Sequence, residues 1–333
     1  VEALLIDAHS LIKRCILASA LDDLKADGTF TGGVYGTLNT LRSFLSNVEA
    51  FDIGPIFAFF DCGVPAYRME LLPDYKSERS DRRYMLDEDT KEKAFEQIGL
   101  ARQMLSLLGV KCFEWAESEA DDCLAGAVKV CRARDMAVTV MSGDKDLWQT
   151  VYMGARVWDL GRKMFIDAEN FESVAGVTPS TYTTYRTLVG DPSDSIVGCR
   201  GCGAVRAVAL IREAAEAYPH FETALPEVQL SLLRALVRSR QRPRKFEQDL
   251  IEDESFDYLK RVEEAIDLRV AAATFDAEVM DDFMFALYSA VDERKFMAFC
   301  KRLSFRSVLG DPQRWLRPFA RCALKSRKMK SPE

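Results

Sequence analysis

Short apolar runs that end on an acid recur along the chain: Leu4-Leu5-Ile6-Asp7, then Ile56-Phe57-Ala58-Phe59-Phe60-Asp61, then Val138-Thr139-Val140-Met141 leading through Ser142-Gly143 to Asp144. Near-continuous apolar runs of this length, without period-two alternation, predict strands covered on both faces. Residues 110–114 predict another. Between them the apolar period lengthens to that of helices over residues 34–48 and 119–134. The order strand, helix, strand, helix predicts an α/β fold with a mainly parallel central sheet, flanked by helices and joined by right-handed crossovers. Ligands of such sheets gather beyond the carboxyl ends of the strands, where Asp7, Asp61 and Asp144 fall.

The alternation is interrupted from Pro73 to about Leu105, too long a stretch for an ordinary connection and therefore read as a functional insertion. Its first part is basic (Lys76, Arg79, Arg82, Arg83) and its last part has helical spacing through Phe95, Ile98, Ala101 and Leu105. After Asp191 helices flank a glycine-rich turn, Gly198-Cys199-Arg200-Gly201-Cys202-Gly203, and beyond Pro219 the pattern is helical throughout. The expected organisation is an α/β core over 1–190 with its insertion at about 73–105, a region of helices joined by the glycine-rich turn at 191–220, and a helical extension over 221–333. A chain of 333 residues is longer than one hydrophobic core usually organises, which agrees with more than one packed unit.

Composition narrows the chemistry. Hydrophobic residues make up 48% of the chain, with 18 Gly and 11 Pro, which excludes disordered and low-complexity classes. No apolar run approaches the roughly 18 residues of a membrane helix, and the first residues do not read as a signal peptide, so an intracellular, cytoplasmic location is expected. Nine scattered cysteines fit free thiols better than a disulfide framework, and the lone CxxC, Cys199 and Cys202, lacks partners for zinc. Only His9 and His220 are present, which leaves little room for a histidine-based triad; Ser10 beside His9 reads as a helix cap. The chemistry therefore falls to carboxylates.

Nine of these stand out: Asp7, Asp61, Glu119, Asp121, Asp122, Asp144, Asp146, Asp191 and Asp194. Glu119 and Asp122 are three apart and share a face at a helix start, with Asp121 beside them. Asp144 and Asp146 leave a strand; Asp191 and Asp194 lie in a Gly-Asp-Pro-Ser-Asp turn after a predicted helix at 180–189. Singly, each acid is as readily a cap or turn residue. Together they could not all stay ionised in one cavity without cations, and oxygen-only ligation suits Mg²⁺, with Mn²⁺ as substitute. Two such ions about 4 Å apart hydrolyse phosphodiesters without a covalent intermediate. The overall balance of 45 basic against 52 acidic residues seats its acidic excess in this cluster, so it does not exclude a nucleic-acid partner.

Four segments, in order over some two thirds of the chain, resemble the 5′-nuclease family of flap endonucleases, phage 5′→3′ exonucleases and the N-terminal nuclease domain of bacterial DNA polymerase I. Tyr75-Lys76-Ser77-Glu78-Arg79 resembles its Tyr-Lys-x-x-Arg segment, and Glu119-Ala120-Asp121-Asp122 its Glu-Ala-Asp-Asp motif. Gly143-Asp144-Lys145-Asp146 is similar to its Gly-Asp-x-Asp motif, and Gly190-Asp191-Pro192-Ser193-Asp194-Ser195 to its Gly-Asp-x-x-Asp-Asn motif. The resemblance implies a PIN-like core in which Asp7, Asp61, Glu119, Asp121 and Asp122 hold the metal nearest the scissile phosphate, and Asp144, Asp146, Asp191 and Asp194 the second. It implies that the insertion is a helical arch, with Lys76 and Arg79 approaching the phosphate and Arg82 and Arg83 guiding the strand. The glycine turn resembles the family's helix-hairpin-helix variant, with Gly198, Gly201, Gly203 and Arg206 at duplex phosphates and a K⁺ ion at hairpin carbonyls. The implied activity is that of a 5′→3′ exonuclease and flap endonuclease on DNA with a 5′ flap, 5′ end or branch, extending to RNA primer–DNA hybrids, in replication or repair. A monomer is the default. Two rivals stay open: a noncatalytic junction-binding module, and a PIN-type ribonuclease, which would lack the arch and the glycine hairpin.

Overall fold

The computed structural model describes residues 1–18, 24–48, 51–77, 88–285 and 290–328. Six strands form the main sheet: β1 Glu2–Asp7, β2 Ile53–Phe60, β3 Lys111–Glu114, β4 Ala137–Ser142, β5 Arg156–Asp159 and β6 Met164–Ile166, in the order β3-β2-β1-β4-β5-β6. All neighbours are parallel except the β5–β6 hairpin at the edge. That hairpin is not foreseen by the apolar runs, because its strands are short and half-buried. Leu5 lies in register with Phe57 on one side and Val140 on the other. The strand order reverses direction between β1 and β4, and a crevice opens at such a switch point beyond the carboxyl ends.

Helices cover both faces: α1 Ala8–Ile16, α2 Gly32–Asn47, α3 Ala66–Leu71, α4 Glu88–Leu107, α5 Ala120–Ala133, α6 Tyr182–Val189, α7 Ala204–Ala217, α8 Pro226–Arg238 and α9 Asp253–Ile266. Every residue of β1 and β2 is buried, as the continuous apolar runs require. Alternate side chains serve opposite layers. Ala3, Leu5, Phe57 and Phe59 pack with α5 residues such as Leu124 and Val128. Leu4, Ile6, Ala58 and Phe60 pack with Leu11 and Ile12 of α1 and Leu38 and Leu41 of α2.

The helices after residue 220 build both layers. Leu230, Leu233, Leu259 and Phe275 join the first core; Phe296, Phe299, Leu316 and Phe319 join the second. The second half of α4, assigned to the insertion from sequence, carries Ala101, Met104 and Leu105 fully buried in the second core. Residues 78–87, with Arg79, Arg82 and Arg83, lie outside the described residues.

Leu5 is fully buried at the centre of the sheet. Leu5→Ala is expected to cost about 3 kcal/mol from lost transfer energy and a residual cavity. A denaturant midpoint lowered at unchanged slope would show it.

Candidate metal centre

Asp7 ends β1 and caps α1, accepting from the Ser10 amide at 3.0 Å. The Ser142 hydroxyl, at the end of neighbouring β4, donates to its other oxygen at 2.7 Å and in turn accepts from the Asp144 amide. Ser10 does more than sit at a helix start: its hydroxyl accepts from the Gly143 amide and so ties the two strand ends together. Asp61, at the end of β2, accepts from the Ala120 amide at 2.9 Å, which aims the start of α5 at the sheet edge. His9 also takes part here, since its Nδ1 accepts from the Asp61 backbone N–H and lies 3.2 Å from the Asp61 carboxylate.

Glu119 is the N-cap of α5, and Asp121 and Asp122 occupy its first turn, where the helix dipole favours negative charge. Asp146 opens a 3₁₀ turn after β4, its amide bonded to Asp144 Oδ1. Asp191 caps the 3₁₀ turn Pro192–Asp194, accepting from the Ser193 amide and hydroxyl. The structure thus gathers the acids into two groups. Oxygens of Glu119, Asp121 and Asp122 lie within 4.8 Å of one another, and so do oxygens of Asp146, Asp191 and Asp194. Asp7, Asp61 and Asp144 stand at the ends of β1, β2 and β4, with Asp7 and Asp144 linked through Ser142.

Among the described residues three cations enter this pocket, and sequence pointed to one of them. Lys76 donates to Glu119 and lies 3.8 Å from Asp194; its backbone turns through φ +59°, and its N–H donates to the Asp194 carbonyl. Arg186, on the last turn of α6, donates from Nε to Asp146 at 2.7 Å and from Nη2 to Asp191 at 2.8 Å. Arg68, on α3, is 2% exposed and donates to Glu119 and to both oxygens of Asp122. Tyr75 adds a phenol that donates to Glu119 at 2.8 Å. The one sequence signal for Arg186 was its place five residues before Asp191 on the predicted helix; Arg68 lies 51 and 54 positions from the acids it binds and carried none.

The hairpin divides its glycines between two tasks. Gly190 and Gly198 pack backbone to backbone: a Cβ on Gly198 would meet the Gly190 amide nitrogen at 2.5 Å, and one on Gly190 the Gly198 nitrogen at 2.3 Å. Gly198, half-buried, therefore closes the small ladder of Gly190–Asp191 with Ile196–Val197. Gly201, at φ +76°, and Gly203, the N-cap of α7, are exposed, and Arg206 donates to the Gly201 carbonyl at 2.5 Å. Cys199 and Cys202 are buried fillers beneath them.

The crowding shows in the acids' proton affinities. Burial, only partly offset by the Ser10 and Ser142 hydrogen bonds, pushes Asp7 up to about 6. Burial raises Asp146 to about 7 against the pull of Arg186. Burial and then the Asp121 charge raise Asp122 to about 8 despite Arg68. Asp191 goes the other way: burial opposes ionisation, but Ser193 and Arg186 outweigh it and hold the carboxyl low. Away from the pocket, burial lifts Glu263 to about 8.

An acid raised in the folded state binds a proton that the unfolded chain releases, so its stabilisation is complete at low pH and is lost as pH rises through the folded value. For Asp146, Asp122 and Glu263 that loss runs from about pH 4 to about pH 8, and its part above about pH 6.5 lies beyond the range where His9, held low by burial, opposes it. In EDTA the melting temperature should be higher at pH 6.5 than at pH 8, with Glu263→Gln removing only its own share. A flat or inverted profile would contradict the geometry.

Residues 2–176 match the family model described as 5′-3′ exonuclease, N-terminal resolvase-like domain. The chain is 31% identical over 219 residues to a 5′-3′ exonuclease of Bacillus subtilis, covering 64% of this chain and 70% of that protein. It is 30% identical over 220 residues to DNA polymerase I of Lactococcus lactis, covering 63% of this chain and about a quarter (24%) of that longer protein. The fold is similar to that of T5 5′-exonuclease, solved with bound zinc, at TM-score 0.67 and 20% identity over 85% of this chain and 97% of that one. Since the model spans more than half its length, the chain belongs to the 5′-3′ exonuclease family.

Proposed function

We propose that the protein is a divalent-metal-dependent 5′ nuclease that hydrolyses phosphodiester bonds of DNA bearing a 5′ end, a 5′ flap or a branch. The observation that carries this reading is the pair of all-oxygen acidic groups at the switch point of the sheet. Among the described residues nine carboxylates there meet three cationic side chains, Arg68, Lys76 and Arg186, an excess of negative charge that two divalent ions would largely offset. Carboxylate donors without nitrogen or sulfur fit hard Mg²⁺, with Mn²⁺ in its place. The relatives support the same reading: the Bacillus subtilis protein is a 5′-3′ exonuclease, T5 5′-exonuclease was solved with zinc, and a T5 flap endonuclease was solved with DNA and metal ions.

In this reading Asp7, Asp61, Glu119 and Asp121, backed by Asp122, form the site nearer the scissile phosphate, and Asp144, Asp146, Asp191 and Asp194 form the other. Bound there, the ions supply a water of lowered pKa and charge neutralisation at the leaving oxygen. Lys76 is held at the mouth by Tyr75, by its Asp194 contact and by its left-handed backbone, from where its ammonium reaches a phosphate oxygen and stabilises developing charge. Arg79, Arg82 and Arg83 extend this basic track in sequence. Exposed Gly201 and Gly203 at the start of α7, with Arg206, offer a surface for duplex phosphates that reads no bases. A K⁺ ion at the hairpin carbonyls would share this turn with Arg206, which donates to the Gly201 carbonyl.

The test is cleavage of a labelled 5′-flap duplex. Mg²⁺ should yield a 5′-phosphate and a 3′-hydroxyl, and EDTA should abolish cleavage, whereas binding without cleavage would identify a noncatalytic module and preference for single-stranded RNA a ribonuclease. The double variant Asp144→Asn, Asp146→Asn should lose more than about 100-fold in rate. Lys76→Ala should lower kcat by about 100-fold while DNA affinity in Ca²⁺ changes little.

A further inference from the structure

Arg68 is placed where a buried charge is costly, and every part of its guanidinium has a partner. Nη1 donates to Glu119 Oε2 at 2.5 Å and to Asp122 Oδ2 at 3.1 Å, and Nη2 donates to Asp122 Oδ1 at 2.5 Å. Nε turns the opposite way and donates to the carbonyl of Ala265 at 2.8 Å. That carbonyl lies in the last turn of α9, where unpaired C=O groups concentrate the negative end of the helix dipole. Leu72, Tyr75, Ile196, Val262 and Ala265 form a small apolar cluster beside it and limit access of water.

The same helix end reaches the second acidic group. Gln149, in the 3₁₀ turn that Asp146 opens, donates to the Ile266 carbonyl at 3.0 Å. Its side-chain oxygen accepts from the Leu268 amide and the Thr183 hydroxyl. Two successive carbonyls at the end of α9 therefore hold Arg68, which binds the first acidic group, and Gln149, which lies in the turn that begins with Asp146 of the second.

We propose that Arg68 is a positioning residue of the metal centre, clamped by the C-terminal end of α9, which orients Glu119 for ligation and engages both oxygens of Asp122 so that Asp122 supports the site without ligating metal directly. The inference rests on the metal-dependent reading above. It makes the helical region after residue 250 a working part of the centre.

The two possible roles of Arg68 have opposite signs. Were it only a counter-charge, its removal would leave the pocket more negative and metal would bind more tightly. As a positioning group, its loss frees Glu119 and leaves both Asp122 oxygens without their fork partner, and metal binds more weakly. Titrating the full-length chain with Mn²⁺, read by the electron paramagnetic resonance signal of the free aqua ion, separates them. Arg68→Gln should weaken at least one Mn²⁺ site by about tenfold or more. Arg68→Lys keeps the charge without the planar fork and should not restore it. Unchanged or tighter binding in Arg68→Gln, with folding verified by circular dichroism, overturns the proposal. If Arg68→Gln does not fold, hydrogen exchange on the wild-type chain decides: Mn²⁺ should slow amide exchange about threefold or more across residues 259–268, and no change there overturns the clamp. A wild-type chain that binds no Mn²⁺ overturns the metal reading itself, whereas intact wild-type binding with indifferent Arg68 variants overturns the clamp alone.

Discussion

Mutual repulsion among carboxylates confined to one crevice is the constraint around which this molecule is arranged. Nine acids arrive from the ends of β1, β2 and β4, the start of α5 and the turn after α6, and each arrival is held by a specific hydrogen bond. Ionised and unpaired, they would drive the strand ends apart or take up protons. Backbone amides, the α5 dipole and three buried or half-buried cations restrain them, and those devices leave enough negative charge for small hard cations to complete the balance. The parallel sheet supplies rigid walls; its switch point supplies the opening.

The internal cations do different work from one another. Arg186 and Lys76 lie at the pocket wall and occupy carboxylate oxygens that a divalent cation would need. Arg68 lies behind the wall, enclosed and tied to the end of α9. The C-terminal helices, which at first sight look like an appendage, build both faces of the hydrophobic core and supply this anchor, so the geometry of the acidic pocket and global packing share residues.

Much of this was legible in the amino-acid order, for physical reasons. Strands buried on both faces must be continuously apolar, so β1, β2 and β4 announced themselves, and the acids that end them followed. A helix start rich in acids is a local feature, and so is a Gly-Asp-x-x-Asp turn. What escaped was tertiary. Arg68 meets Asp122 across 54 positions of chain and Ala265 across 197, and no local period reports such a meeting. Tyr75 was quoted as part of a motif without a role, yet it donates to Glu119. The close packing of Gly198 on Gly190 is likewise tertiary and has no local signal. The β5–β6 hairpin and the core half of α4 were hidden by short strands and by a helix that passes from one environment into another.

Anomalous diffraction from crystals grown with Mn²⁺ tests the central claim most directly. Two manganese peaks are predicted, one against Glu119 and Asp121 and one among Asp146, Asp191 and Asp194, with Lys76 displaced from the Glu119 carboxylate and Arg68 unmoved. A pocket without a peak, its acids still satisfied by Lys76 and Arg186 alone, would contradict the account.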